Sequence, residues 1–211
     1  MSSWNRIIAV FGLTVACTTA ARGANEDATI VLHAQPWDLG LFCQAWVGQF
    51  DCNGMPPVVN VQPEKTIAVF VLLRNYDAVS SVRYLFEVDG GKNGIWGDWT
   101  MIFSDFGCLP GQTTASAPAS TNGVLETNFL CIEGGALRVI GLMAMTSGSH
   151  GCLEISEVEF SGIQDCDQVR TDVAPRNRGR ICVGDGGYNA CDAMPVPVEG
   201  ATWGAIKAQY R

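Results

Sequence analysis

The chain's 211 residues contain two histidines, His33 and His150, so acid–base chemistry near neutral pH would run through them or through carboxylates. His150 directly follows Ser149, but neighbours along an extended strand face opposite ways. No Gly-x-Ser-x-Gly elbow is present to raise a serine nucleophile. The stretch around Ser149 and His150 therefore reads as a Gly/Ser turn. Asp89-Gly90-Gly91-Lys92-Asn93-Gly94 has some of the oxygen donors of a calcium loop, yet Thr100 stands at the twelfth position, where a bidentate Glu belongs. A hairpin turn is the simpler reading. Asp185 and Asp192 flank a second glycine-rich loop with oxygen ligands alone. Zinc is not expected, because no paired Cys-x-x-Cys motif is present. Any two of the 21 acidic residues could meet as a glycosidase pair, but nothing in the spacing singles out two. No catalytic residue, metal ligand or cofactor is assigned, and an enzyme is not expected; a hydrolase with an unidentified carboxylate pair is the outlying alternative.

Aromatic side chains offer a different chemistry. Trp96 and Trp99, in Gly94-Ile95-Trp96-Gly97-Asp98-Trp99, are candidate ligand-binding residues, since two indoles beside a turn can stack on sugar rings. The competing reading puts one or both in the core, with Trp96 the more exposed. Trp203, Ile206 and Tyr210 recur at helical spacing near the C-terminus and form a candidate partner-docking face. Trp37 and Trp46 flank Cys43 and are expected to pack on a disulfide there.

What must position these groups is a set of short strands. Hydrophobic residues make up 47% and charged ones 16% of the chain, which excludes wholesale disorder. The 13 Lys and Arg against 21 Asp and Glu give a net charge of −8, a poor match to nucleic acid. Arg6, the apolar run 7–16 and small residues up to Ala24 have the order of a secretory signal peptide, too short to span a bilayer. Removing 1–24 takes away Arg6 and Arg22, leaving 13 − 2 = 11 basic residues against 21 acidic ones, or −10. The expected location is extracellular or at the cell surface, with the periplasm as alternative.

Beyond the signal, Cys43, Cys52, Cys108, Cys131, Cys152, Cys166, Cys182 and Cys191 form an even set, which in an exported chain reads as a disulfide framework. Their spacing favours nearest-neighbour pairs: Cys43–Cys52, Cys108–Cys131, Cys152–Cys166 and Cys182–Cys191.

Strands are predicted at 29–33, 58–61, 66–73, 82–88, 99–104, 124–132, 137–145 and 152–160. The 66–73 run is almost continuously apolar, as in a strand buried on both faces. In 82–88 the alternation puts Val82, Tyr84, Phe86 and Val88 on one face. The parity changes within 152–160, which calls for a bulge near Ser156 and Glu157. The 107–123 stretch reads as a long loop. Arg170, Arg176, Arg178 and Arg180 follow an acidic region and could pair with it. The fold class is all-β: an antiparallel Ig-like or jelly-roll sandwich, disulfide-stabilised, with an irregular C-terminal extension. The chain divides into a signal peptide (1–24), a β-sandwich domain (25–167), a Cys/Gly/Pro-rich extension (168–199) and a short amphipathic segment (200–211).

The strand from Thr66 to Asn75, followed by Val79 to Val88, resembles the early strand pair of cohesin-type modules. Leu137 to Met145, then Cys152 to Phe160, is similar to their closing strands. The resemblance spans roughly residues 28 to 165 and rests on patterns, and the cysteine content departs from it. It implies a jelly-roll sandwich with a protein- or sugar-binding role. The 200–211 tail resembles endings of uncharacterised exported proteins from uncultured bacteria. The expected function is a secreted, non-catalytic adhesion, scaffold or structural module. Its expected partner is a protein or a surface glycan, or a second copy of itself, with no nucleic acid and no transmembrane segment. A carbohydrate-binding module using Trp96 and Trp99 is the first alternative.

Overall fold

The computed structural model describes residues 25–37, 57–118, 122–135 and 137–192. The expected signal peptide, the expected Cys43–Cys52 pair, Trp46 and the expected Trp203–Ile206–Tyr210 face lie outside the described residues.

Twelve strands fill the described residues: β1 (Thr29–Pro36), β2 (Asn60–Val61), β3 (Thr66–Arg74), β4 (Ala78–Val88), β5 (Thr100–Asp105), β6 (Thr113–Ser116), β7 (Val124–Glu133), β8 (Arg138–Thr146), β9 (Cys152–Ser156), β10 (Gly162–Gln164), β11 (Arg170–Thr171) and β12 (Ile181–Val183). They build two sheets. The first has the order β1-β3-β8-β5. The second is centred on β4, whose one edge carries β7 and then β6. Its other edge is shared, with β10 beside Ser81–Arg83 and β9 beside Leu85–Val88. β10 continues to β11, and β9 to β12 and β2. Every strand pair is antiparallel except β2 with β12. The result is the antiparallel sandwich that the strand pattern predicts.

The core follows from strand parity. Ile67, Val69, Val71 and Leu73 of β3 face the second sheet and meet Val82, Tyr84, Phe86 and Val88 of β4 in the main core. The other face of β3, with Ala68, Phe70 and Leu72, is also buried, in a second cluster with Val31, Val139, Leu142, Cys108 and Ala190. That double burial is why the run is apolar without alternation. β4 does alternate, because only its inner face is covered. After β3 the chain turns at Asn75, whose φ of 56° lies in the left-handed region that Asn tolerates. Asn25 ties the start of the sandwich to this turn, donating to the Ala78 carbonyl and accepting from the Asp77 amide.

Several expectations need correction. Cys131 is bridged to Cys166 and Cys152 to Cys182, with Cα–Cα distances of 5.6 and 4.1 Å, so the pairs Cys108–Cys131, Cys152–Cys166 and Cys182–Cys191 do not form. Cys108 and Cys191 are disulfide-bonded as well. Pairing follows adjacency in the sheet rather than along the chain: Cys152 and Cys182 are register partners on β9 and β12. The last long strand is broken, β9 ending at Ser156 and β10 beginning at Gly162, with Phe160 between them at a φ of 59°. The parity change thus marks a loop and not a bulge. The 107–123 stretch contains β6, which pairs with β7. Of the expected 168–199 extension, the described residues up to 192 include β11 and β12, which belong to the second sheet.

Candidate functional site

The turn between β8 and β9 brings together the three residue types of a hydrolase triad. Ser149 Oγ lies 2.7 Å from Asp98 Oδ2 and 2.8 Å from His150 Nδ1. The roles, however, are reversed. The Ser149 amide also donates to Asp98 Oδ2, at 2.8 Å, and these two Ser149 bonds hold the Asp98 carboxyl below its usual range, with a smaller contribution from His150. The one hydroxyl proton therefore goes to the carboxylate, and the imidazole nitrogen donates to the serine oxygen. A nucleophile needs the opposite arrangement, with its proton passing to the imidazole and the acid orienting the far ring nitrogen. Asp98 instead staples the 147–151 turn to the 94–99 turn, and the Trp99 indole N–H reinforces the junction by donating to the His150 carbonyl at 3.0 Å.

The other sequence candidates also resolve into supports. Trp99 is 3% exposed and belongs to the main core, so it cannot stack on a sugar. Trp96 is half-buried against the same core. The paired-indole platform is therefore replaced by one core tryptophan and one flanking it. The Asp89 carboxylate accepts the Cys152 amide at 2.9 Å, which locks the hairpin turn onto β9. Among the described residues no three His, Cys, Asp or Glu side chains converge as metal ligands. Asp185 is exposed, and the side chain of Asp192 lies outside the described residues. His33 is buried on β1, and its Nδ1 accepts the Val58 amide at 2.9 Å. Trp37 packs on the second cluster and meets Phe103 edge-on at 5.9 Å between ring centres. Glu87 and Glu154 are opposite one another on β4 and β9, but the cleft that Glu154 lines does not include Glu87.

What remains distinctive is the contrast between the two outward faces. That of the first sheet is covered over β1, β3 and β8 by the second apolar cluster, while Ile102 and Phe103 of its edge strand β5 stay exposed. That of the second sheet is open in its middle strands. Arg83, Leu85 and Glu87 project from β4, Glu126, Asn128 and Leu130 from β7, and Glu154 and Ser156 from β9, all half-buried or exposed. Arg83 pairs across strands with Glu126 at 2.7 Å, and Leu130 is 69% exposed. The charged groups in this array are three glutamates and one arginine, so the face is acidic with apolar points.

At the edge of the second sheet lies a network that sequence reasoning only touched. The Arg178 side chain is 7% exposed. Its Nε donates to the Val173 carbonyl at 2.8 Å, and its Nη2 reaches Glu157 at 2.7 Å and both Asp172 oxygens at 3.1 Å. The guanidinium also sits 5.4 Å from the centre of the Tyr84 ring. Tyr84 is pushed above its usual range, chiefly by burial, and its hydroxyl donates to Asp172 while accepting the Val173 amide. The Arg178 bond holds the Glu157 carboxyl below its usual range. The arginines after 167 do pair with the preceding acids, as their order suggested, through Arg178–Glu157 and Arg180–Glu154. The burial of Arg178 had no signal in the sequence, because it depends on Tyr84, about ninety residues upstream.

Among the described residues no helix is long and apolar enough to cross a membrane. No family model and no curated protein matches the chain. Among solved structures, it is similar to a cohesin module of a family 33 glycoside hydrolase from Clostridium perfringens, at 13% identity and a TM-score of 0.44, covering 74% of this chain and 97% of that one. It is likewise similar to a chain of a type I cohesin–dockerin complex from Clostridium thermocellum, at 14% identity and a TM-score of 0.41, covering 74% of this chain and 98% of that one.

Proposed function

We propose that this chain is an exported, non-catalytic module whose open sheet face docks a protein partner. The supporting observation is the asymmetry of the sandwich: the outward face of β1, β3 and β8 is covered by apolar packing, while the second sheet presents Leu85 and Leu130 among the fixed charges of Arg83, Glu87, Glu126 and Glu154. A mixed face with a few apolar anchors and fixed charges suits protein recognition, in which burial supplies affinity and charge supplies register. Its acidic balance favours a partner that carries basic groups. The serine of the only Asp–Ser–His cluster among the described residues is bonded to its aspartate, which weighs against hydrolysis.

The test is affinity capture from the producing cell's own exported proteins with the immobilised chain, alongside an Arg83→Glu/Leu130→Glu variant. One partner retained at a fixed ratio by the native face, and at least about tenfold less by the variant at an unchanged melting temperature, is the expected result. Equal capture by both chains, or none by either, would remove this reading.

A further inference from the structure

We propose that the cleft between the 175–180 segment and β9 is a carboxylate-binding subsite that accepts an acidic peptide segment. The cleft has a volume of about 330 Å³, enough for one or two side chains. Arg176, Arg178 and Arg180 all line it, and Glu154 is the one acid that does. Three guanidiniums thus fall within five residues of a chain whose net charge is −8.

The three cations have different duties. Arg178 is spent on Glu157, Asp172 and the Val173 carbonyl, and forms a fixed wall. Arg180 is held by two bonds to the Gly186 carbonyl, from Nε at 3.1 Å and from Nη2 at 2.8 Å. This lock leaves Nη1 3.5 Å from Glu154, longer than a charge-assisted hydrogen bond, so a better-placed acceptor can take it. The Arg176 guanidinium has no hydrogen bond or ion pair among the described residues. Its backbone is nevertheless fixed, because Tyr188 Oη donates to the Arg176 carbonyl at 2.8 Å and Arg180 exchanges two backbone bonds with Tyr188. Two guanidiniums with spare donors, on a backbone ordered before any ligand arrives, are preorganised for a planar oxyanion. Ile155, Pro175 and Tyr188 complete the walls and give the methylenes of a Glu or Asp side chain something to pack on, which a bare phosphate lacks.

The test is calorimetric titration of the full chain with an acetylated, amidated tetraglutamate peptide, with tetraglutamine and inorganic phosphate as comparison ligands. Saturable tetraglutamate binding in the millimolar range or tighter, weakening as salt rises, is expected. Arg176→Ala should weaken it about tenfold without moving the melting temperature, since that side chain holds nothing in place. Arg180→Lys, which keeps the charge and loses the fork, should weaken it as well. No saturable binding of tetraglutamate, equal binding of tetraglutamine, an unchanged affinity in Arg176→Ala, or displacement of the peptide by equimolar phosphate would each overturn the proposal. Arg176 is not among the side chains altered in the partner test, so either proposal can fail while the other stands.

Discussion

His33 shows how a single buried side chain sets a pH response. Burial lowers its pKa from 6.5 to about 4, and its unprotonated Nδ1 accepts the Val58 amide. Between those values the unfolded chain binds a proton that the folded chain refuses, so stability rises with pH across the window. The contribution is complete above pH 6.5 and is lost as pH falls to about 4, amounting to about 3 kcal/mol. Urea unfolding at several pH values in this window should show that slope, and His33→Asn, which keeps an acceptor and does not titrate, should flatten it. An undiminished slope in the variant would refute the assignment. Asp98 and Glu157 act at lower pH, since hydrogen bonds from Ser149 and Arg178 hold both carboxyls below the usual carboxylate range, and the stability they lend is lost only as pH falls through and below that range. The two tryptophans test burial in the same way. Trp99→Ala should cost about 3–5 kcal/mol and Trp96→Ala clearly less, measured by chemical denaturation. The order of the two tryptophans is legible in the sequence, which has Trp96 as the more exposed; the burial of His33 is not, because the neighbours that cover it come from other parts of the chain.

At the scale of elements, legibility depended on whether a pattern was local. The double-sided burial of β3 and the alternation of β4 could be read directly, because the period of a strand reports how many of its faces are covered. The disulfides could not be, because chain spacing says nothing about which strands adjoin. Cys152 and Cys182 are separated by 30 residues and Cys131 and Cys166 by 35, so each bridge closes a loop worth about 3.5–4 kcal/mol in the chain-entropy model. Replacing both Cys152 and Cys182 by Ser should cost roughly that much if β9 and β12 keep their register, while peptide mapping still finds Cys131 joined to Cys166. A Cys152–Cys166 peptide from the native chain would contradict the sheet order itself. The Arg178 clamp is the polar counterpart of these bridges. Arg178→Met keeps the stem but removes both ion pairs and leaves the Val173 carbonyl without its donor, while the half-exposed Asp172 keeps the Tyr84 hydroxyl, so a loss of about 1–3 kcal/mol is expected in equilibrium unfolding.

The whole molecule places its last described strands inside the sandwich, past the boundary expected at residue 167. Composition shifts after Asp167 toward arginine, proline and glycine, a shift that resembles a domain boundary because irregular connections use the same residues. Yet β12 pairs with β9 and β2, the Gly179 amide donates to the Ile30 carbonyl of β1 at 2.7 Å, and Arg178 reaches back to Tyr84 beside the core. Val173 and Ile181 are wholly buried in the main core. A chain ended after Asp167 would lose those side chains, expose the edge of β9 and leave Cys152 without its partner. The combined cost of one disulfide and two core aliphatics is about 7–10 kcal/mol, comparable to the whole stability of a domain this size. The truncated chain is therefore expected to lack a cooperative thermal transition and to present a free Cys152 thiol to alkylation. A chain ended after Asp192 should keep the Cys131–Cys166 and Cys152–Cys182 bridges and melt cooperatively. A sharp transition in the 167 truncation, within a few degrees of the longer chain, would mean that the segment after Asp167 is an appendage and not the closing strand of the fold.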